Sequence, residues 1–454
     1  MQISNLYKKR IVSAVVLISM LSGLGYFVGE LIRPCHYSTD IYNAEYKTMK
    51  DSKTNVDMVF IGASRVLVGF DPKVFEEKLS LHKVYNLSVS QLGMEEMYYQ
   101  LEEFLEEFHP KTVVLGITYG GLIQKNTPKI LKLRMLERLH GSNFLAYIKD
   151  SLSIDEYPDI LPVYGYRGYL SGIKQNIKNI QQFKTEGIYM KTDKWQSMGQ
   201  GFVAYPKSVP SGNMGIRKNQ GFDRSMVLKN TIHYLDKCIQ LCKKKNVRVF
   251  LMTPPTSMAN IYETGNFQGI IDYIDEYARK NNVVYHNLNY LKNKEEFLPD
   301  SMMYDFKHIN KKGSKIISEK YAEILSLSFK NKDTDDYFYS SLSEMKNSVK
   351  RIVAVDAKPV IKNNIMTLPI QSLQNNDVIP SYQLLMAKDN KKFNPVMNWT
   401  GKKNVSFAVP KGSEFRILLR ARQNEKDTNY AWMAWEIDKK RKIRKLQNVS
   451  LKGI

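Results

Sequence analysis

Ser64, Asp305 and His308 have the types and settings that acyl-transfer chemistry requires. Ser64 ends the aliphatic run Val59-Phe60-Ile61-Gly62-Ala63-Ser64-Arg65. His308 alone among seven histidines stands three residues after an aspartate, in Tyr304-Asp305-Phe306-Lys307-His308-Ile309-Asn310. A serine hydroxyl needs a base to become a nucleophile, and the base needs a group that orients it. Taken singly, each signal has a plainer alternative. Ser64 at a strand end is equally an ordinary helix cap, and a bare D-x-x-H has little specificity. Other chemistries find no support. The nucleophile elbow G-x-S-x-G fails at Val66, and no phosphate-binding or dinucleotide glycine loop follows a strand. There is no H-E-x-x-H, and the pairs Glu95-Glu96, Glu102-Glu103 and Glu106-Glu107 fall on a helical pattern as a solvated face. No metal or cofactor is expected. Cys238 and Cys242, four apart on an amphipathic pattern, suit core packing better than a redox pair.

The elements that must position these residues follow from the apolar patterning. Five nearly continuous apolar runs, at 56–62, 83–89, 112–118, 247–253 and 282–288, read as strands buried on both faces. Helical patterns such as 94–108 and 226–245 lie between them, which predicts a doubly wound α/β domain with a mostly parallel sheet. In such sheets ligands and catalytic groups gather beyond the carboxyl ends of the strands. Ser64 follows the first strand and the Asp305–His308 loop follows the last. Asn310 can cap the next helix, whose Ile316, Ile317, Tyr321, Ile324 and Leu325 form an apolar face. About 130 residues separate the third and fourth strands, far more than a crossover needs. This insertion, about 122–224, carries a glycine- and aromatic-rich stretch, Trp195 to Gly221, which is either a lid or binding wall or surface padding.

From about Met345 the chain changes to short segments bounded by turn residues, among them Asp389-Asn390, Thr400-Gly401 and Lys411-Gly412, as in a small β-sandwich. Trp399, Trp432 and Trp435 there either stack on sugar rings or fill its core. At the other end, Ile11 to Gly29 is an uncharged run of nineteen residues behind Lys8, Lys9 and Arg10. That suits an uncleaved anchor with its N-terminus in the cytoplasm and the rest of the chain outside the membrane. Cys35, after Ile32-Arg33-Pro34, lacks the small-residue setting of a lipoprotein cysteine. The expected organisation is therefore 1–36 as N-terminus and transmembrane helix, 37–335 as the α/β domain, 345–437 as a β-sandwich-like domain and 438–454 as a basic tail. The net charge of +22 calls for an anionic neighbour. With no helix-turn-helix, RNA-binding or zinc-finger pattern to focus it, a membrane or wall polymer is expected and nucleic acid is not.

An early strand ending in G-x-S together with a late D-x-x-H loop resembles the SGNH/GDSL hydrolase superfamily. The similarity is closest to its membrane-anchored bacterial branch, the polysaccharide O-acetylation and teichoic acid D-alanylation proteins. It runs through Gly69-Phe70-Asp71-Pro72, Tyr85-Asn86-Leu87-Ser88, Gln91, Gly93 and His109-Pro110-Lys111, over about residues 40 to 328. The resemblance implies a flavodoxin-like three-layer α/β/α domain, with Ser64 as nucleophile, His308 as general base and acid, and Asp305 orienting it. It implies an oxyanion hole from the Ser64 N–H, Gly93 and a third-block asparagine. Here that block reads Gly116-Ile117-Thr118-Tyr119, so Thr118 or another group would substitute. Arg65 and Asn86 are candidates for substrate binding, Asn86 equally for stabilising a turn. The implied activity is O-acyl transfer, most simply of acetyl, to a cell-surface or secreted polysaccharide, with a multi-spanning membrane O-acyltransferase as donor partner. A carbohydrate esterase with the same triad, or a non-catalytic glycan-binding or assembly protein, are the alternatives.

Overall fold

The sheet follows the apolar runs. Its strands are β1 (Met58–Ile61), β2 (Val84–Asn86) and β3 (Thr112–Gly116), followed after a hairpin of β4 (Gln196–Gly199) and β5 (Phe202–Ala204) by β6 (Arg248–Thr253) and β7 (Val284–Asn287). The computed structural model describes residues 5–34, 37–207, 216, 219–376, 378–388, 392–423 and 431–446. The order is β2-β1-β3-β6-β7, all parallel, with Phe60 beside Asn86, Ile61 beside Leu115 and Gly116 beside Met252. This is the flavodoxin-like order, whose crevice opens where the connections from β1 and β3 leave in opposite directions.

Every residue of β1, β2 and β3 is buried, because helices cover both faces. Alternate side chains point to opposite faces, so Val59, Ile61, Val113 and Leu115 enter one core with residues of the helices Met94–Glu107 and Lys229–Lys244. Met58, Phe60, Val114 and Phe250 enter the other with Ile317, Tyr321 and Leu325 of the helix Lys311–Phe329. Each such side chain contributes roughly 1.5–3 kcal/mol. Cys238 and Cys242 are buried in the first core, where desolvation raises both thiols and Cys242 reaches about 12. They pack as core residues.

The insertion is a layer of helices, Lys129–Arg138, Gly141–Ser151 and Ile173–Glu186, ending in the β4–β5 hairpin. The hairpin closes the open edge of β2, where Asn86 N–H donates to Gln200 O at 2.9 Å. Gly201 has φ +72°, and a Cβ there would lie 1.9 Å from Asn86 O, so only glycine can make this approach. At the N-terminus a helix spans Asn5–Ile32, and its stretch Lys9–Ile32 is long and apolar enough to cross a membrane. Cys35 lies outside the described residues.

The C-terminal part is β8 (Arg351–Ala357), β9 (Val360–Lys362), β10 (Ile365–Asn375), β11 (Ser381–Lys388), β12 (Asn394–Thr400), β13 (Asn404–Ala408), β14 (Phe415–Arg422), β15 (Ala431–Ile437) and β16 (Ile443–Leu446). One antiparallel sheet runs β13-β10-β8, with β9 also on β10, and the other runs β12-β11-β14-β15-β16. Val355, Met366, Leu368 and Ile370 of the first meet Leu384, Ile417, Leu419 and Met433 of the second, as in a sandwich. The turn at Asp389-Asn390 lies outside the described residues. The expected tail from 438 needs correction. Ile443–Leu446 pairs with β15, Ile437 facing Ile443 and Ala434 facing Leu446. Its lysine and arginine suit an exposed edge strand, and residues 447–454 are outside the described residues. Trp432 and Trp435 are buried, and Trp399 lies under the Arg422 guanidinium at 4.0 Å. The core alternative holds for the first two.

The sandwich is joined to the α/β domain by a shared core and a buried charge cluster. Val353 and Met345 belong to the second core. Arg351 donates to both Glu295 and Asp300, and Lys294, itself buried, pairs with Glu295 at 2.7 Å. Burial alone would raise the Glu295 carboxyl, but Lys294 and Arg351 outweigh it and hold it below its ordinary 4.5. Its stabilisation is therefore present above that value and is lost as pH falls through the depressed one. Arg351→Met leaves two buried carboxylates without their shared partner and is expected to cost about 3–5 kcal/mol. Urea unfolding followed against pH should show a lower midpoint near neutral pH and a smaller acid-side loss than in the wild type, because without Arg351 burial moves the Glu295 carboxyl back up and its protonation no longer costs the folded state. An unchanged curve would mean the cluster contributes nothing net.

Candidate active site

Ser64 opens a four-residue helix, Ser64–Leu67, immediately beyond the carboxyl end of β1. Two glycines make that tight turn possible. Val66 packs down onto the sheet between Gly62 of the β1 end and Gly116 of β3, and a Cβ on either glycine would come within 2.5 or 2.1 Å of Val66 Cγ2. Asn86 then ties the turn from the β2 side. Its amide donates to Val66 O at 3.0 Å and Phe70 O at 3.2 Å, while its Oδ1 accepts from Ser88 N–H at 3.2 Å. Asn86 is 1% exposed. The substrate-binding alternative for Asn86 does not fit that geometry, since the side chain is enclosed and committed to main chain. Turn stabilisation is its structural role.

The cap position of the short helix is Ala63, and the Ser64 hydroxyl makes no cap hydrogen bond. Ser64 Oγ instead lies 2.8 Å from His308 Nε2, across 244 residues of chain. On the other side of the ring, His308 Nδ1 lies 3.0 and 2.9 Å from the two Asp305 oxygens. Asp305 is held in turn by the N–H groups of Lys307 and His308, at 2.7 and 2.8 Å. Burial works against its charge, but the His308 hydrogen bond and charge and these two N–H donors outweigh it, so the carboxyl sits below its ordinary value. With Nδ1–H donated to a carboxylate, Nε2 is left as the acceptor for the Ser64 proton. The side chains of His308 and Asp305 remain 19% and 35% exposed, so a substrate can reach them.

The loop carrying Asp305 and His308 is closed on itself and pinned from outside. Tyr304 N–H donates to His308 O at 2.7 Å, and Asn310 caps the helix Lys311–Phe329 through the N–H groups of Lys312 and Gly313. Phe306 O accepts from Thr256 Oγ1 at 3.1 Å and Ser257 Oγ at 2.7 Å, on the loop that follows β6. Tyr205, from beyond the β4–β5 hairpin, stacks on Tyr304 with ring centres 4.0 Å apart and faces the His308 ring edge to face at 6.0 Å. The Asn310 cap is the one the sequence predicts, whereas Thr256, Ser257 and Tyr205 are not among the sequence candidates. A signal existed for one of them, because Pro254-Pro255-Thr256-Ser257 stands directly beyond a strand's carboxyl end. The Trp195–Gly221 stretch does reach the site, through Tyr205. Residues 208–215 and 217–218 of it are outside the described residues.

Arg65 departs from the expected substrate contact. Its guanidinium turns onto the helix Met258–Thr264 and donates to Asn260 Oδ1 at 2.8 Å, with Thr256 Oγ1 lying 2.9 Å from the same oxygen. Burial lowers its pKa to about 10, opposed by the charges of Asp305 and Glu263. Arg65 therefore braces the site from behind. Gly93 and Thr118 stand at the starts of the helices after β2 and β3. Gly93 lies against Glu96 and Thr127, and Thr118 Oγ1 accepts from Gly121 N–H at 3.3 Å. Among the described residues no hydrogen bond joins either to Ser64.

Three solved structures share features of this chain at low similarity. A Bacteroides fragilis protein assigned as an acylhydrolase is 10% identical, covers 63% of this chain and 98% of its own, and gives a TM-score of 0.31. A GDSL-like lipase of Bacteroides thetaiotaomicron is 12% identical, covers 64% and 100%, and gives 0.30. A Desulfitobacterium hafniense protein assigned to the lipolytic G-D-S-L family is 11% identical, covers 60% and 99%, and gives 0.27. No curated protein matches. The sequence matches the family described as protein of unknown function DUF1574 over residues 37–296, from the end of the anchor-like helix through all five strands of the parallel sheet, and the chain belongs to that family.

Proposed function

We propose that the protein is an SGNH-type acyl-transfer enzyme, anchored by its N-terminal helix, that moves an acyl group, most simply acetyl, onto a cell-surface or secreted polysaccharide. The observation that carries this reading is the line Ser64 Oγ, His308 Nε2, His308 Nδ1 and Asp305, at 2.8 and 2.9–3.0 Å. A serine that only capped a helix would have no reason to meet a carboxylate-oriented imidazole from the far end of the chain.

In this mechanism Ser64 Oγ attacks the carbonyl of the donor ester while His308 Nε2 accepts its proton. The tetrahedral intermediate collapses to acyl-Ser64 as His308 protonates the leaving alkoxide. In the second half His308 takes the proton of an acceptor hydroxyl, which attacks the acyl-serine, and returns that proton to Ser64 Oγ. Asp305 keeps Nδ1 protonated and stabilises the imidazolium. The Ser64 N–H, with Gly93 and Thr118 as candidates beside it, would face the oxyanion. Water in place of a sugar hydroxyl gives the esterase reaction through the same steps. Attachment to the membrane supports transfer, since an anchored enzyme meets polymer as it emerges. A multi-spanning membrane O-acyltransferase is the proposed source of the acyl group, and nucleic acid is not a proposed partner.

Full-length protein in detergent, incubated with an activated acetyl ester and examined by intact mass, should gain one acetyl group that Ser64→Ala lacks. No adduct on folded wild-type protein, or equal adduct on Ser64→Ala, would remove Ser64 as the nucleophile. Adding candidate oligosaccharides should release the acetyl to sugar rather than to water. Asp305→Asn is expected to keep the fold but lower the acylation rate on the order of 10⁴-fold, because the imidazole then loses its tautomer and its counter-charge. A change below tenfold would mean that Asp305 serves only the loop.

A further inference from the structure

Between the helices Gly141–Ser151 and Ile173–Glu186 the insertion passes through three short helical turns, Ile154–Ile160, Pro162–Gly165 and Arg167–Gly172. This stretch shows solvent an unusual face. Ile154 is 82% exposed, Leu161 62% and Leu170 55%, and Tyr157, Tyr164 and Tyr169 are exposed between them. Single exposed apolar residues are ordinary, and elsewhere in the α/β domain they stand apart, as at Met226 and Val284. Six within seventeen residues form a patch of the kind that marks an interaction surface. Two of its three acids turn toward the body, Glu156 to Lys132 at 2.8 Å and Asp159 to Lys129 at 2.6 Å, and Asp159 also holds Arg167 of the same stretch at 3.1 Å, whose half-exposed guanidinium lies over Tyr164. Only Asp155 stays on the open side.

The position of the patch identifies its occupant. Pro162 and Val163 pack directly on the N-terminal helix. A Cβ on Gly29 would lie 2.8 Å from both Pro162 Cβ and Val163 N, and Gly25 faces Val163 Cγ1 at 3.8 Å. Just beyond, the helix ends in charge. Arg33 pairs with Glu30 at 3.1 Å, Asp40 at 3.0 Å and Glu137 at 3.5 Å, and Asn176 donates to the carbonyls of Leu31 and Arg33. Such a cluster belongs in water or among headgroups. Gly25 lies eight residues before Arg33, which at 1.5 Å per residue is about 12 Å farther along the axis. That is deeper than a headgroup layer, so a segment touching both Gly25 and Gly29 descends past the polar boundary.

We propose that Ile154–Leu170 is a membrane-embedded wedge, seated in the leaflet where the anchor emerges, with Ile154, Leu161 and Leu170 among acyl chains and the three tyrosines at the interface. This rests on the reading of Lys9–Ile32 as membrane-spanning. Tyrosine is the residue type that favours such a boundary. Lys174 and Lys178, exposed on the next helix, lie where anionic headgroups would meet them. A single helix would leave the α/β domain free to swing, whereas helix plus wedge fixes its height and tilt.

The test uses the full-length chain in phosphatidylethanolamine–phosphatidylglycerol liposomes, with Cys35→Ser and the buried Cys238 and Cys242 left in place. An environment-sensitive fluorophore is attached to Leu161→Cys, Leu170→Cys, Ile18→Cys within the span, or Ile379→Cys as the aqueous reference, Ile379 being 83% exposed on the sandwich. Probes at 161 and 170 should emit to the blue of the 379 probe, be quenched by spin-labelled lipid, and resist iodide several-fold better. If 161 and 170 behave like 379 while 18 is lipid-exposed, the wedge is wrong and the anchor stands. If 18 also behaves like 379, the anchoring reading fails and the wedge fails with it.

Discussion

The site depends on a close packing contact, Val66 against the sheet between Gly62 and Gly116. Any side chain at either glycine would meet Val66 Cγ2 at 2.5 Å or less. The four-residue helix would then have to rise off the strand ends and carry Ser64 away from His308. Asn86 reinforces the same turn with hydrogen bonds to the Val66 and Phe70 carbonyls. On the opposite side, Asp305 and His308 are seated by their own tight loop and by the two hydroxyls after β6. Serine and imidazole thus meet because each rests on a different strand end of a rigid parallel sheet. Such placement gives geometry that flexible loops alone would not hold.

The second organising feature is a chain of buried polar contacts that runs from the sandwich to the site. Arg351, at the start of β8, grips Glu295 and Asp300, and Asp300 stands five residues before Asp305. Lys294, paired with Glu295, donates to Thr256 O at 3.0 Å. Thr256 Oγ1 lies within hydrogen-bond distance of both Phe306 O and Asn260 Oδ1, sharing its one proton between them, and Asn260 Oδ1 accepts from Arg65 beside Ser64. Each group in this chain is satisfied only while its neighbours keep their places. The sandwich therefore belongs to the structural support of the Asp305–His308 loop, whatever its outer faces bind.

Most of this was legible in the sequence where one physical rule dominates. The five strands announced themselves by unbroken burial, and Ser64 and the D-x-x-H loop by lying beyond strand ends. Asn86 and Arg65 were harder, because a polar side chain near a candidate nucleophile has the same sequence signature whether it faces substrate or braces main chain. Only the distances of Asn86 to Val66 O and of Arg65 to Asn260 separate the two. Ile443–Leu446 was hidden because its cationic side chains, typical of edge strands, also resemble those of a disordered tail. Tyr205 was hidden because its partner Tyr304 lies about a hundred residues away, and stacking across such a distance leaves no periodicity.

The insertion connects the site to the anchor-like helix. Midway along, it packs on the anchor-like helix through Pro162 and Val163, and farther on it closes β2 at Gly201 and reaches His308 through Tyr205. A segment added only as padding would need neither two glycine-tight contacts nor an aromatic ring against the His308 imidazole. Both attachments are specified by contacts that tolerate no Cβ, at Gly29 and at Gly201. A displacement of the helix relative to the insertion would have to be taken up within the insertion itself, because its two attachments cannot slide. The helices that lead into the first attachment are packed, with Leu131, Met135 and Tyr147 buried in the first core, and packed cores transmit displacement rather than absorb it. The distance from the anchor-like helix to Ser64 is accordingly set by the insertion.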